Sequence, residues 1–289
     1  MNSYQKASIR SMSSDDLKRA TDLSYSEGWN QTISDWRFFL GNPDNICLAA
    51  DLGSITAGTA TALNYSGKVA WIGMVLVDKR FRGQGVGRLL MEEIIEKLQH
   101  TESLKLDATP AGYPLYHKLG FMDELTICRM TTGTAIKVSE YETIENDSEA
   151  FSEKHTRELV DFDRKISGFD RSHLIEYLVR NYPDKAFVIS KNRKITGFIL
   201  GRDGVRYHYL GPVFAMSDDS ACKLIAKALS GLERKPVAVD VLQDKHRIIK
   251  WLEMAGFEKQ RQFTRMYLKS NEYRGLIENQ YLIAGPEFG

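Results

Sequence analysis

The sequence has few cysteines, and their arrangement excludes two common classes of small or metal-dependent protein. The three that it contains, Cys47, Cys128 and Cys222, are odd in number, far apart and without C-x-x-C spacing. A disulfide framework and a zinc site are therefore disfavoured. We expect the three thiols to behave as small buried hydrophobic side chains.

The sequence also lacks long apolar runs and an excess of either charge. No apolar stretch approaches the length of a membrane-spanning helix, and residues 1–16 have no apolar core like that of a signal peptide. The 39 basic and 38 acidic residues give a net charge of +1, which offers nothing to attract nucleic acid or a membrane surface. Neither partner is expected, and a cytoplasmic location is predicted. With 43% hydrophobic and 27% charged residues, the 289 residues suit one large or two modest soluble domains.

The most informative stretch runs from Met74 to Leu98 and has the pattern of an anion-binding site. It begins with an apolar run typical of a buried strand, continues with glycines at 83, 85 and 87, and becomes helical at Val86. The apolar helix face consists of Val86, Leu90, Ile94 and Leu98. Glycines let successive backbone N–H groups converge, and a helix N-terminus adds unpaired donors and a positive dipole end. Three arginines, at 80, 82 and 88, surround that point, so the expected ligand carries phosphate.

Two familiar phosphate-binding loops do not fit this stretch. It lacks the Gly-Lys-Ser/Thr ending of a nucleotide-triphosphate loop, and its glycines are out of phase with G-x-G-x-x-G. Instead, residues 82–87 (RGQGVG) fit the R/Q-x-x-G-x-G/A signature of the GNAT superfamily of acyl-CoA N-acyltransferases. Residues 115–121 (LYHKLGF) resemble the L-Y-x-x-x-G-F segment of that family. The chain is therefore identified as a member by resemblance. Residues 207–212 (YHYLGP) and 281–289 (YLIAGPEFG) resemble the C-terminal domain of bacterial two-domain GNAT proteins, of which the holothin-type acyltransferases are an example.

The second half of the sequence repeats the pattern of the first. Residues 72–77 (IGMVLV) align with residues 210–215 (LGPVFA) at an offset of 211 − 73 = 138, and a helix, a strand and a Gly-Phe pair follow in both halves. The resemblance implies an α/β (α+β) fold of two tandem GNAT-like domains, each with a mixed, mostly antiparallel sheet flanked by helices. We expect an N-terminal domain at 1–132, a linker at 133–149 and a C-terminal domain at 150–289.

The resemblance also implies a cofactor site and a catalytic acid. In this family the strand before the glycine loop splays from its parallel neighbour and pairs with the pantetheine arm, and one of its amides polarises the thioester carbonyl. The expected acetyl-CoA-binding residues are Val75, Leu76, Val77, Arg82, Gly83, Gln84, Gly85, Val86, Gly87 and Arg88. Tyr116 matches the family's general acid, which protonates the departing thiolate. The alternative for Tyr116 is a packing role.

Acceptor contacts and a general base are less clearly indicated. The family's loop between the first two helices overhangs the acceptor, which makes Glu27, Trp29 and Asn30 candidate substrate contacts. A packed aromatic ring and a solvated acid explain them equally well. Some relatives carry a glutamate on the strand before the loop, where this chain has residues 69–72 (VAWI), so the base stays open among Glu27, Asp107, His208 and a water chain. Because Asp240 repeats Asp107 in the second copy, a structural role is favoured for Asp107.

The second copy is predicted to be inactive. Residues 216–225 have no glycine and two acids that would repel a diphosphate, and Leu252 stands where the first copy has Tyr116. This copy is expected to wall the acceptor pocket or to make interdomain contacts; the candidates are Arg206, Tyr207, Tyr209 and Arg265. The apolar residues 281–289 are predicted to dock on the protein.

These observations predict an N-acetyltransferase that moves an acetyl group from acetyl-CoA to a primary amine of a small molecule, directly within a ternary complex. No metal is expected. The alternative is a non-catalytic acyl-CoA sensor or binding subunit. The identity of the acceptor, the acyl-chain preference and the oligomeric state cannot be read from the residues.

Overall fold

The computed structural model describes residues 7–133 and 147–289. The first half contains β1 (Ser8–Ser11), α1 (Leu17–Ser26), α2 (Ile33–Gly41), β2 (Ile46–Leu52), β3 (Ile55–Tyr65), β4 (Val69–Val77), α3 (Val86–Lys97), β5 (Ser103–Ala108), α4 (Tyr113–Lys118) and β6 (Met122–Thr132). The second half contains β7 (Glu149–Ala150), α5 (Thr156–Ser167), α6 (Ser172–Asn181), β8 (Phe187–Lys191), β9 (Lys194–Arg202), β10 (His208–Ala215), α7 (Asp218–Ser230), β11 (Val237–Leu242), α8 (His246–Met254), β12 (Glu258–Lys269) and β13 (Gln280–Leu282). This mixed α/β architecture is the predicted fold class. Most of the predicted linker, residues 134–146, lies outside the described residues.

Local signals explain where the key helices begin. Ser13 and Asp16 form a capping box before α1, and Thr32 and Asp35 form another before α2. The predicted apolar face of α3 is buried at Val86, Leu90 and Ile94. Helix α4 begins at Tyr113, directly after a hydrogen-bonded turn at residues 109–112.

The strands of both halves form one sheet rather than two. Within the described residues its order is β1-β2-β3-β4-β5-β12-β6-β11-β13-β10-β9-β8-β7. Strand β12, which ends the second half, lies between β5 and β6 of the first half. Strand β6 in turn pairs with β11 of the second half. The two halves therefore exchange their last strands, and each half contributes one strand to the other half's part of the sheet.

Two reciprocal ion pairs stabilise this exchange. Arg265 on β12 lies opposite Asp107 on β5 and donates two hydrogen bonds to it, at 2.8 and 3.0 Å. Arg129 on β6 lies opposite Asp240 on β11 and donates two, at 2.8 and 2.6 Å. All four residues are buried. The persistence of the aspartate in both copies follows from this role, which agrees with the structural role favoured for Asp107 from the sequence.

Removing one of these carboxylates should destabilise both halves together. Asp240→Ala leaves the buried Arg129 guanidinium without its partner, and losing one member of a buried pair costs about 3–5 kcal/mol. Urea unfolding followed by tryptophan fluorescence and by circular dichroism should show one transition, moved to lower urea for both probes. Glu93→Gln, which breaks an exposed pair with Lys97 on α3, is the control and should hardly move the midpoint. Two separated transitions would contradict the coupling.

The apolar core also crosses between the halves. Helices α1 and α2 share one buried cluster with α5 and α6, on the face of the sheet that carries Trp71 and Met74. Helix α3 packs with α4 in a second cluster that includes Leu90 and Leu106, and α7 and α8 cover a third. The three cysteines are buried and unpaired, as predicted. None of the described helices is long and apolar enough to cross a membrane.

Candidate active site

The site begins where two parallel strands separate. Strands β4 and β5 pair only from Val69 to Trp71, opposite Ser103 to Lys105. Beyond Trp71, β4 has no pairing with β5, and a bulge opposite β3 places Met74 at φ 51°. The backbone groups of Val75 to Val77 therefore face an opening instead of a neighbouring strand. The sequence predicted this splay through the family resemblance.

The glycine loop closes one end of that opening. Gly83 and Gly85 have φ of +77° and +82°, the left-handed region that favours glycine, and a Cβ at either would meet nothing within 4 Å. The helical hydrogen-bond ladder of α3 begins with the Leu89 amide, which donates to Gly85 at 3.0 Å. The amides of residues 86–88 precede that ladder and form the unpaired tip of the helix. Backbone donors and bare glycines thus form a loop, here called the cradle, whose geometry is suited to binding an anion.

The arginines around the cradle are held by nearby carboxylates. Arg82 lies 2.6 Å from Glu27 on the loop after α1, and Arg88 lies 2.7 Å from Glu92 one helical turn further on. Arg80 lies 2.8 Å from Asp78, and hydrogen bonds from Arg80 lower the pKa of that aspartate. These exposed side chains can exchange a carboxylate for a phosphate oxygen.

A single cavity of about 750 Å³ connects the splayed strands, the loop and α4. Among the predicted residues, its lining includes Glu27, Trp29, Val75, Leu76, Val77, Arg82, Gly83, Gly85, Val86, Gly87, Arg88 and Tyr116. Gln84 lies outside the lining, and its amide donates to the Arg80 carbonyl at 3.4 Å. Asn30 also lies outside; its side chain bonds the backbone of residues 206–207, at 2.9 to 3.0 Å, and so fixes the loop before β10.

Tyr116 reaches the cavity from α4. The residue is 8% exposed, and burial raises the pKa of its hydroxyl. Its ring lies over Gly112, where a Cβ would come within 2.8 Å of the ring. Among the described residues the hydroxyl has no hydrogen-bond partner. A neutral, unengaged O–H at the cavity wall is suited to donating a proton.

The side chains suggested as a general base lie in different places. Glu27 and Asp107 line the cavity, each held by an arginine, whereas His208 lies outside the lining and bonds Asp203 at 2.8 Å. Arg206, Tyr207, Tyr209 and Arg265 also lie outside it. Tyr209 is buried and donates to Asp240 and to the Ile283 carbonyl. Arg265 and Arg206 thus contact the first half, at Asp107 and at the Tyr25 ring, whereas the Tyr209 side chain makes its contacts within the second half.

Other lining residues were missed in the sequence. Residues 280–289, here called the closing segment, pass beside β4, and a Cβ on Gly73 would lie 2.9 Å from the Glu287 Cα. Pro286 and Glu287 line the cavity as a result, and Glu287 lies 2.5 Å from Arg202. Strand exchange adds Arg261 and Phe263 from β12, β6 adds Arg129, and the loop before α2 adds Gln31. The one sequence signal for these residues is Gly73, because a glycine within a strand permits another backbone to approach closely.

The equivalent opening in the second half is filled by the chain itself. Strands β10 and β11 pair only at His208 and Tyr209, and β13 of the closing segment lies between them beyond that point. Helix α7 carries Asp218 and Asp219 in its first turn. In the described part of this half, a filled gap and two carboxylates therefore stand where the first half has an opening and a glycine loop. No group of three or more potential metal ligands is found among residues 7–133 and 147–289.

Comparisons with known proteins agree with this geometry in both halves. Residues 11–121 match the model described as the acetyltransferase (GNAT) family, and residues 159–282 match one described as an acetyltransferase (GNAT) domain. The chain is 23% identical to the holothin acyltransferase of a Pseudoalteromonas species over 290 aligned positions, which cover 100% of this chain and 97% of that protein. It is 27% identical over 199 residues to YitH of Bacillus subtilis, an uncharacterized N-acetyltransferase, covering 67% of each.

Solved structures show the same fold. A proposed acetyltransferase from Pyrococcus horikoshii superposes with a TM-score of 0.81 at 22% identity, covering 99% of this chain and 97% of that one. A tandem GNAT protein from the clavulanic acid biosynthesis pathway superposes with a TM-score of 0.64 at 12% identity, covering 91% and 98%. At these identities the likeness concerns architecture, including the arrangement of two joined halves.

Proposed function

Because both of its halves match GNAT models, the chain belongs to the GNAT acetyltransferase family, and we propose that it transfers an acetyl group from acetyl-CoA to a primary amine of a small molecule. The observation that carries the proposal is the cavity, which joins the unpaired backbone of β4, the glycine loop at the tip of α3 and the Tyr116 hydroxyl. A bound acetyl-CoA supplies the activated thioester.

The residues present fit such a donor. The bare glycines leave room for a diphosphate against the amides of residues 83–88, where the helix dipole favours negative charge. The backbone of Val75 to Val77 offers donors and acceptors to the amide groups of a pantetheine arm, as a strand would. One of these amides can stabilise the oxyanion of the tetrahedral intermediate.

The transfer itself needs two proton movements. The amine attacks the thioester carbon, the C–S bond breaks, and Tyr116 gives its proton to the departing sulfur. The amine's own proton must leave as well. Three carboxylates lie in the lining, and each has an arginine partner: Glu27, Asp107 and Glu287. The amine's proton is therefore transferred to water. Because one cavity holds both substrates together, the attack within it is effectively unimolecular.

An assay of free-thiol release with a panel of small primary amines tests the proposal. We expect acetyl-CoA to lose its acetyl group only when an amine is present, with the acetylated amine as the product by mass spectrometry. Parallel assays with propionyl-CoA and longer acyl donors measure the preference for acyl-chain length. A protein that binds acetyl-CoA in calorimetry but releases no thiol with any amine would instead be a sensor or binding subunit.

A further inference from the structure

The charges around the cavity do not balance. Its ionised side chains are arginines at 82, 88, 129 and 261 and acids at 27, 107 and 287. Each acid in the lining has an arginine partner, and three of the four arginines have an acid partner. Arg261 has no acid partner among the described residues. One positive charge in the lining is therefore uncompensated.

Arg261 stands at the end of the cavity supplied by the other half. It lies on β12 directly opposite Arg129 on β6, beside a bulge at residue 260, and it is half-buried. Burial and the neighbouring Arg129 charge both lower the pKa of Arg261. Arg129 is neutralised by Asp240, so it does not need a further anion. A guanidinium in this position gains most from an anion that enters the cavity.

A second unpartnered group lies in the same lining. Gln31, on the loop before α2, is 5% exposed, and its Oε1 atom is buried with no hydrogen-bond partner in the described part of the chain. Burying an amide oxygen without a donor costs free energy. A ligand N–H that reaches this oxygen removes that cost.

We propose that the acceptor is a primary amine that also bears a carboxylate. Arg261 binds the carboxylate, and the amide oxygen of Gln31 accepts a hydrogen bond from an N–H of the same molecule. The proposal rests on the proposed function and narrows its substrate class to amino acids in the broad sense. It also gives the second half a role, because β12 delivers the recognition residue into the first half's cavity.

Matched acceptors test this inference. The probes are ω-amino acids from glycine to 6-aminohexanoate and the carboxamide of each, assayed by thiol release at saturating acetyl-CoA. We expect at least one carboxylate to have a kcat/KM about tenfold to a hundredfold above that of its carboxamide, the effect typical of a charged hydrogen bond. The length of the best ω-amino acid acceptor indicates how far Arg261 lies from the thioester.

Variants at residues 261 and 31 test which side chain causes the preference for carboxylates. Arg261→Met should remove it, because kcat/KM should fall more for each carboxylate than for its carboxamide, and it should leave the KM for acetyl-CoA unchanged. Arg261→Lys should retain part of it. Gln31→Leu should lower kcat/KM about tenfold for carboxylates and carboxamides alike. A carboxylate preference that survives Arg261→Met would overturn the proposal.

The outcomes separate this inference from the function on which it rests. If neutral amines and carboxamides are acetylated and carboxylates are not preferred, the acceptor class is wrong and the acetyltransferase activity stands. If acetyl-CoA binds and no amine of either kind is acetylated, the proposed function fails, and the acceptor class fails with it.

Discussion

Gly85→Asp should abolish binding of coenzyme A by the protein. Position 85 is the N-cap of α3, where the amides of the loop and the helix tip converge on one point. A carboxylate there would occupy the phosphate position and repel a diphosphate, at about 4 kcal/mol per charge pair 4 Å apart at an effective dielectric of 20. We expect the Kd measured by isothermal titration with coenzyme A to rise about a thousandfold or more.

The matched control is Gly85→Asn, which has the same size and shape without the charge. Asparagine and aspartate both tolerate the left-handed conformation at φ +82°, and a Cβ there meets nothing within 4 Å, so both variants should fold. We expect the asparagine variant to lose about tenfold in affinity through bulk alone. If the aspartate variant bound coenzyme A within fivefold of the natural protein, the phosphate site would lie elsewhere.

The elements nearest this site are those that the sequence predicted best. Strand β4, the glycine loop and α3 lie where the apolar run, the glycines and the helical period place them. Each of these signals is local: a glycine permits its own backbone angle, and Val86, Leu90 and Ile94 are buried because they share one helix face. The division into domains at 133–149 and the role of each site residue stay predictions.

The exchange of the last strands could not be predicted from the same sequence. Strands β6 and β12 contain nearly the same tripeptide, Cys128-Arg129-Met130 and Thr264-Arg265-Met266, so either strand suits either aspartate. Periodicity within a strand says nothing about which of two equivalent neighbours it pairs with. Arg261 and Phe263 reach the cavity only because of this exchange, and sequence reasoning missed them for that reason.

The path of the closing segment also could not be predicted from the sequence. Its apolar residues predicted that it docks, and it is buried along most of its length. Its path depends on contacts far along the chain: β13 fills the gap in the second half, and Glu287 then meets Arg202 beside Gly73. A glycine at 73 and another at 211 permit these approaches, but neither reveals which segment approaches.

Tyr116→Phe should lower kcat about a hundredfold to a thousandfold, the range typical of removing a general acid. The KM for acetyl-CoA should stay within twofold, because the cradle of loop and helix amides is untouched. The variant should fold normally, since the hydroxyl bonds no other described residue and only one oxygen atom is lost. Steady-state kinetics with a saturating amine measures both constants.

The neighbouring tyrosine of α4 provides the control. Tyr113 bonds Asp123 at 3.1 Å and lies outside the cavity lining, so Tyr113→Phe should leave kcat unchanged. The pH profile adds a second readout. Burial raises the pKa of Tyr116, so the hydroxyl keeps its proton beyond the ordinary tyrosine value of about 10. An acid with a raised pKa is lost only above that pH, so the natural protein should show no alkaline fall in kcat below about pH 10 from this group. A kcat within twofold of the natural value in Tyr116→Phe would mean that the thiolate leaves without this proton, and Tyr116 would then be a packing residue of α4.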